Sequence, residues 1–272
     1  MFSDIHRGIN NWADDFAPNQ MLLFYALKHY FDNDFIYIEV GDGDELWENT
    51  QFSEIQQAHS HIFWIMKNLY DKQRLYLIYG NHDIARKNQK VVDDTLQYYF
   101  DEKTGKIQEL FVGVSVHEGI ILRNTKNNRR IFLLHGHQAD PLNDRYWKLG
   151  KFLSRYLWRY IQLLGVKNPT SPARNFKKRF QIEKRLTNWV IAHHQMLISG
   201  HTHRPRFPEP GNPRYFNLGS CIHPRSITGI EIVNGELSLI KWWITSQEGG
   251  ALYVNRQELV PFTPMERYFS RK

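Results

Sequence analysis

A chain of 272 residues with a net charge of +7 and 42% hydrophobic residues is long enough to bury one large α/β core. Charged residues are 23% and aromatics 14%, which excludes a chain disordered throughout, and the single cysteine, Cys221, excludes an internal disulfide framework or a cysteine-based zinc site. No apolar run approaches the roughly 18 residues of a membrane span. Met1-Phe2-Ser3-Asp4 lacks the basic and apolar regions of a signal peptide, so a cytoplasmic location is expected. The charge is uneven. Residues 141–190 hold 12 Lys/Arg against 2 Asp/Glu, a local balance of +10, while the rest, with 23 basic and 26 acidic residues, is mildly acidic at −3.

Taken in chain order, only Met1-Phe2-Ser3 precede the first polar motif, so either the strand there is a stub or the true start lies upstream, and a stub would hold Asp4 and His6 less firmly. Apolar residues at helical spacing predict a helix over 21–31, and Phe35–Val40 reads as a strand stopped by Gly41. A helix is expected over 54–70, then a strand over 75–79 stopped by Gly80. Segments 119–123 and 130–134 flank a polar stretch and predict a hairpin whose second strand runs into His135. Residues 141–195 break the pattern. Two helices, over about 145–164 and 174–193, are joined by the breaker-rich 165–172, and together they read as an insertion between two core strands. Met196–Ile198 is the next strand, running into Gly200. Segments 228–233 and 236–241 alternate apolar and polar residues around Asn234-Gly235, the strongest short hairpin signal.

Each predicted strand end delivers polar residues with metal-ligand chemistry. They are Asp4-Ile5-His6, Gly41-Asp42, Gly80-Asn81-His82-Asp83, His135-Gly136-His137 and Gly200-His201-Thr202-His203. Ligands at the carboxyl ends of strands converge on one edge of an open sheet. Carboxylate, amide and imidazole without thiolate suit manganese, iron, zinc or a similar divalent ion. Glycine after a strand permits the sharp turn that aims the next side chain into the cleft.

This ordered set of five motifs over residues 4–203 resembles the calcineurin-like metallophosphoesterase superfamily. The resemblance implies a four-layer αββα sandwich, two mixed sheets flanked by helices, and a centre of two divalent ions, manganese favoured. It implies that Asp4, His6 and His203 are ligands of the first metal and Asn81, His135 and His201 of the second, with Asp42 bridging. It also implies that His82 is the catalytic histidine and Asp83 its orienting partner. The expected reaction is hydrolysis of a phosphodiester or pyrophosphate by one domain spanning residues 1–272, with 141–195 as a helical cap.

Gly41-Asp42-x-x-Glu45-x-Trp47 and the basic, aromatic insertion are similar to the UDP-2,3-diacylglucosamine pyrophosphohydrolases, although that branch often differs where His82 and His137 stand. A lipid-linked nucleotide is therefore the narrower expected substrate, with peripheral membrane contact through the cap. A nuclease or cyclic-nucleotide phosphodiesterase is the rival. The insertion itself reads as a solvated helical face, a substrate lid or a nucleic-acid contact. The lid is preferred, because the segment lies between two ligand-bearing strands. Glu45 is expected to support a neighbour rather than bind metal, and Asn217–Ser220 to be structural. Arg7 reads as either a phosphate contact or a surface charge, and His137 as either substrate-facing or structural.

Overall fold

The computed structural model describes residues 1–101, 104–140, 175–246 and 249–269. Among them, helices α1 (Gln20–Asp32), α2 (Phe52–Ala58) and α3 (Ser60–Asp71) accompany strands β1 (Tyr37–Val40) and β2 (Leu75–Ile78). Next come α4 (Gln89–Leu96), β3 (Tyr98–Asp101), β4 (Lys106–Glu109), β5 (Val116–His117), β6 (Gly119–Arg123) and β7 (Arg130–Leu134). The chain ends with α5 (Phe176–His193), β8 (Met196–Ser199), β9 (Tyr215–Asn217), β10 (Ser226–Val233), β11 (Glu236–Ser246) and β12 (Leu252–Pro264).

Two sheets form the body. In one, β1, β2 and β5 run parallel. The first residues extend it. Phe2 N–H donates to Ile38 O at 3.3 Å and Phe2 O accepts from Val40 N–H at 2.8 Å, while Met1 O accepts from Ile230 N–H at 3.2 Å. Met1–Phe2 therefore joins β1 to the antiparallel ribbon β10-β11-β12. The second sheet is β6-β7-β8-β9, with one antiparallel pair and two parallel ones. The Asn234-Gly235 turn has φ of 51° and 85°, as a tight hairpin between right-twisted strands requires.

Side-chain alternation makes the layers. Ile38 and Val40 of β1 face an inter-sheet core with Ile131, Leu133, Ile198 and Phe216. Tyr37 faces the other way, onto a core shared with Leu23 and Leu27 of α1 and Ile62 and Met66 of α3. On the far side, Ile182, Leu186 and Val190 of α5 cover Leu197 and Tyr215. The order is helix, sheet, sheet, helix, the expected four-layer α/β sandwich.

Several expectations change. The stub at the start is not loosely held, because Phe2 is buried and sits between β1 and β10. The helix expected over 54–70 is two helices broken at His59, whose Nε2 lies 3.0 Å from Asp14 Oδ2 in a fully buried pair. No Gly or Pro marks that break; a tertiary contact makes it. Of the expected cap, residues 176–193 are helical and pack on the second sheet as the outer layer of the sandwich. The helix expected over 145–164 lies outside the described residues.

Candidate metal centre

The motif-bearing segments leave their strands on one edge. Asp4 follows the Met1–Phe2 rung, Asp42 follows β1, Asn81 and His82 follow β2, His135 follows β7, and His201 and His203 follow β8. Asp4, His6, Asp42, His201 and His203 all adopt left-handed backbone, with φ of 52°, 53°, 51°, 68° and 55°. Asp and His tolerate this region better than most residues, at about 1–3 kcal/mol each. Five of the non-glycine residues at positive φ thus fall on this edge, the others lying in turns and loops elsewhere.

The backbone approach is close. A Cβ at Gly200 would overlap the Asp4 carboxylate. That carboxylate accepts from His201 N–H, at 2.8 Å to Oδ2 and 3.1 Å to Oδ1. At Gly41, φ is +80° and a Cβ would lie 2.5 Å from the His135 ring. Gly200→Ala is expected to displace Asp4 and weaken divalent-metal binding by about 10-fold or more, the usual cost of disturbing a ligand's support. Calorimetric titration checks this; unchanged affinity would mean that the loop yields.

Three clusters result. Asp4, His6 and His203 form one, Asp42, His135 and His201 another, and within each the potential ligand atoms lie within 4.8 Å of one another. His203 Nε2 is 3.1 Å from Asp4 Oδ1, and His135 Nε2 is 3.1 Å from Asp42 Oδ2. Asp42 Oδ2 also lies 3.7 Å from His6 Nε2, so it faces both groups. His6, Glu45 and His82 form the third cluster.

The donors suit cations. His135 Nδ1 donates to Val40 O at 3.0 Å, which leaves Nε2 to offer a lone pair. That Nε2, Asn81 Oδ1 and His203 Nδ1 are buried with no hydrogen-bond partner among the described residues. His6 and His203 face each other Nε2 to Nε2 at 3.4 Å. Imidazole nitrogens facing one another and facing carboxylates, all out of water, call for positive charge between them. Burial pulls the His135 imidazole down, but Asp42 and Asp4 outweigh it and raise its pKa to about 9. Burial likewise opposes the charged form of Asp42, yet the surrounding imidazoles hold its carboxyl well below the usual range.

His82 stands differently. Its side chain is 22% exposed, against 12% for Glu45 and 10% for His6. Its Nδ1 lies 2.6 Å from Glu45 Oε2, and its backbone N–H donates to Asp42 Oδ1 at 2.8 Å. Burial works against the imidazolium, but Glu45 and Asp42 prevail and push its pKa up to about 10. The His82 ring is therefore met by the Glu45 carboxylate, while the carboxylate of Asp83, the expected orienting partner, meets backbone amides. The turn curls Asp83 back, so that its carboxylate accepts from Gly80 N–H at 2.6 Å and Gly43 N–H at 3.0 Å. Asp83 ties two loops together instead.

Arg7 is neither a phosphate contact nor a surface charge. It is 1% exposed, paired through both Nη atoms with Glu39 at 2.9 and 2.6 Å and through Nε with Asp44 at 2.6 Å. His137 is buried beside His135 and Tyr79 rather than within a cluster. Asn217 is structural, donating to Gly200 O at 2.6 Å and accepting from Gly219 N–H at 2.9 Å. Sequence reasoning missed Asp140, whose Oδ2 lies 3.4 Å from His201 Nε2 and 2.9 Å from Lys178 Nζ of α5. A carboxylate at one nitrogen of His201 resembles the support that metal-binding histidines usually have. Only its place five residues after His135 could have hinted at it.

The sequence profile of the calcineurin-like phosphoesterase family matches residues 1–205. The chain belongs to that family, and it is a metal-dependent phosphoester hydrolase. No curated protein matches it. Among solved structures, it is similar to a conserved uncharacterized protein of Streptococcus pneumoniae described as a predicted phosphoesterase. Identity is 13%, 94% of each chain is covered and the TM-score is 0.37. Vps29 of Chaetomium thermophilum is 10% identical over 85% of this chain and 83% of that one, at a TM-score of 0.36. Vps29 of Entamoeba histolytica complexed with zinc is 21% identical over 56% of this chain and 66% of that one, at 0.24. Likenesses this low say nothing of chemistry. Among the described residues, no helix is long and apolar enough to cross a membrane.

Proposed function

We propose that the chain hydrolyses a phosphodiester or pyrophosphate bond, with two divalent ions held by the two Asp/His clusters. Asp4, His6 and His203 would hold one ion, Asn81, His135 and His201 the other, and Asp42 both. The observation that carries this is Asp42 Oδ2 lying 3.7 Å from His6 Nε2 and 3.1 Å from His135 Nε2, one carboxylate serving two clusters. Such ions, when bound, polarise phosphoryl oxygens and activate water. Imidazole, carboxylate and amide donors favour manganese, with iron or zinc as alternatives.

The chain's own residues supply the rest. Glu45 holds Nδ1 of His82, so Nε2 is the nitrogen left to meet the substrate. From there it donates a proton to the leaving oxygen. Asp83 keeps the His82 loop against the Asp42 loop. A singly charged diester phosphoryl suits this floor better than a doubly charged monoester. Arg7 is committed to Glu39 and Asp44, and Arg86 to Asp44 at 2.5 Å.

The narrower reading, a lipid-linked nucleotide pyrophosphate met at a membrane surface, is supported by α5. Close to the site through Lys178 and Glu183, that helix exposes Phe176 and Phe180 among Lys177, Arg179 and Lys184. Aromatics beside cations suit an interface of that kind. A nucleic-acid substrate would need strongly salt-dependent binding.

The test is turnover of an aryl phosphodiester and an aryl phosphomonoester by metal-stripped protein reloaded with manganese. Metal-dependent preference for the diester is expected, and preference for the monoester would overturn the proposal. Manganese at 100 times its Kd should also stabilise the fold by about 2.7 kcal/mol. Thermal unfolding with and without metal measures it, and an unmoved midpoint would count against the ligand assignment.

A further inference from the structure

We propose that Trp47 is a positioning residue for His82, setting the plane of its imidazole. The inference rests on the place given to His82 in the reaction above.

Trp47 is 5% exposed, and its indole stacks on the His82 ring with centroids 4.3 Å apart and planes at 22°. His6 meets the same ring edge-on, at 4.6 Å and 87°. A contact between Nδ1 and one carboxylate oxygen fixes the direction of an imidazole but not its rotation about that axis. A stacked ring removes the remaining freedom. The loop carrying Trp47 is tied to the same carboxylate, since Trp47 N–H donates to Glu45 Oε1 at 3.2 Å while Glu45 Oε2 faces His82 Nδ1. Glu45 and Trp47 thus clamp His82 from its edge and its face, and Nε2 is left to point outward. Aligning a proton donor acts on the chemical step rather than on binding, so the effect belongs in kcat.

The experiment compares Trp47→Leu, Trp47→Phe and His82→Ala, each loaded with manganese and assayed on the aryl phosphodiester. Bound metal is counted, and the His82 ring protons are followed by NMR in the zinc-loaded proteins. The expected result is a roughly tenfold loss of kcat in Trp47→Leu. KM and bound metal should be unchanged, and Trp47→Phe should restore most of the rate. The ring protons should stand upfield in the wild type and move downfield in Trp47→Leu. Unchanged kcat in Trp47→Leu, or a loss that tracks KM or metal content, overturns the proposal. If Trp47→Leu fails to fold, Trp47→Phe and the wild-type ring shift decide, and an unshifted wild-type ring overturns the stack. Full turnover by His82→Ala overturns the reading of His82 instead, with the ring shift in the wild type still reporting the contact.

Discussion

Replacing His82 with alanine is expected to lower kcat by about 10²–10⁴-fold while both metals stay bound, the usual range for removing a general acid. The expectation follows from where His82 sits. It touches Asp42 through its backbone amide, its Nδ1 is held by Glu45, and its ring is the most exposed of these three side chains. In the proposed ligand assignment the metal-facing atoms belong to other residues, so the loss should fall on the chemical step. Metal analysis and steady-state kinetics on the aryl diester separate the two effects. A variant that loses metal along with rate would make His82 part of the metal support. Glu45→Gln should fall between His82→Ala and the wild type, because the amide can still meet the ring but carries no charge to sustain the imidazolium.

Asp44→Ala is the second large effect, and it concerns stability. Asp44 is fully buried, with Oδ1 2.6 Å from Arg7 Nε and Oδ2 2.5 Å from Arg86 Nη2. The Arg7 and Arg86 guanidiniums hold its carboxyl below the usual range even though burial pulls the other way. Glu39 still covers Arg7, but for Arg86, which also lies over the Phe52 ring, the paired carboxylate that remains among the described residues is Asp83, 3.6 Å away. Removing one partner from a buried ion pair leaves an uncompensated charge and costs about 3–5 kcal/mol. Urea unfolding of the metal-free protein measures this; a loss under about 1 kcal/mol would mean that water or a shifted side chain replaces Asp44. Manganese affinity should fall too. Arg7 follows His6, Asp44 lies two residues after Asp42, and Arg86 lies three after Asp83, so one network braces three ligand-bearing loops.

What was legible in the sequence shares a physical character. A strand that ends in a short polar motif is a local pattern, with glycine between strand and motif at Asp42, Asn81 and His201, and it located these residues with Asp4, His135 and His203 at strand ends. The Asn234-Gly235 hairpin was readable for the same reason, since its backbone demand is met by two adjacent residues. What was illegible depends on partners distant in the chain. Arg7 is a charge beside a histidine in the sequence; only Glu39 and Asp44 make it a buried strut. The break at His59 needs Asp14, and the role of Asp140 needs His201 and Lys178.

By itself, then, the sequence determined the family, the two-sheet class and the inventory of donors, because each rests on residue type and short spacing. Tertiary structure decided which donor faces which. It turned Asp83 toward two backbone amides and Glu45 toward His82, and it packed residues 176–193 on the second sheet. Both outcomes have one cause. A carboxylate or an apolar helix face takes the partner that burial brings within reach, and which partner that is depends on how strands far apart in the chain align.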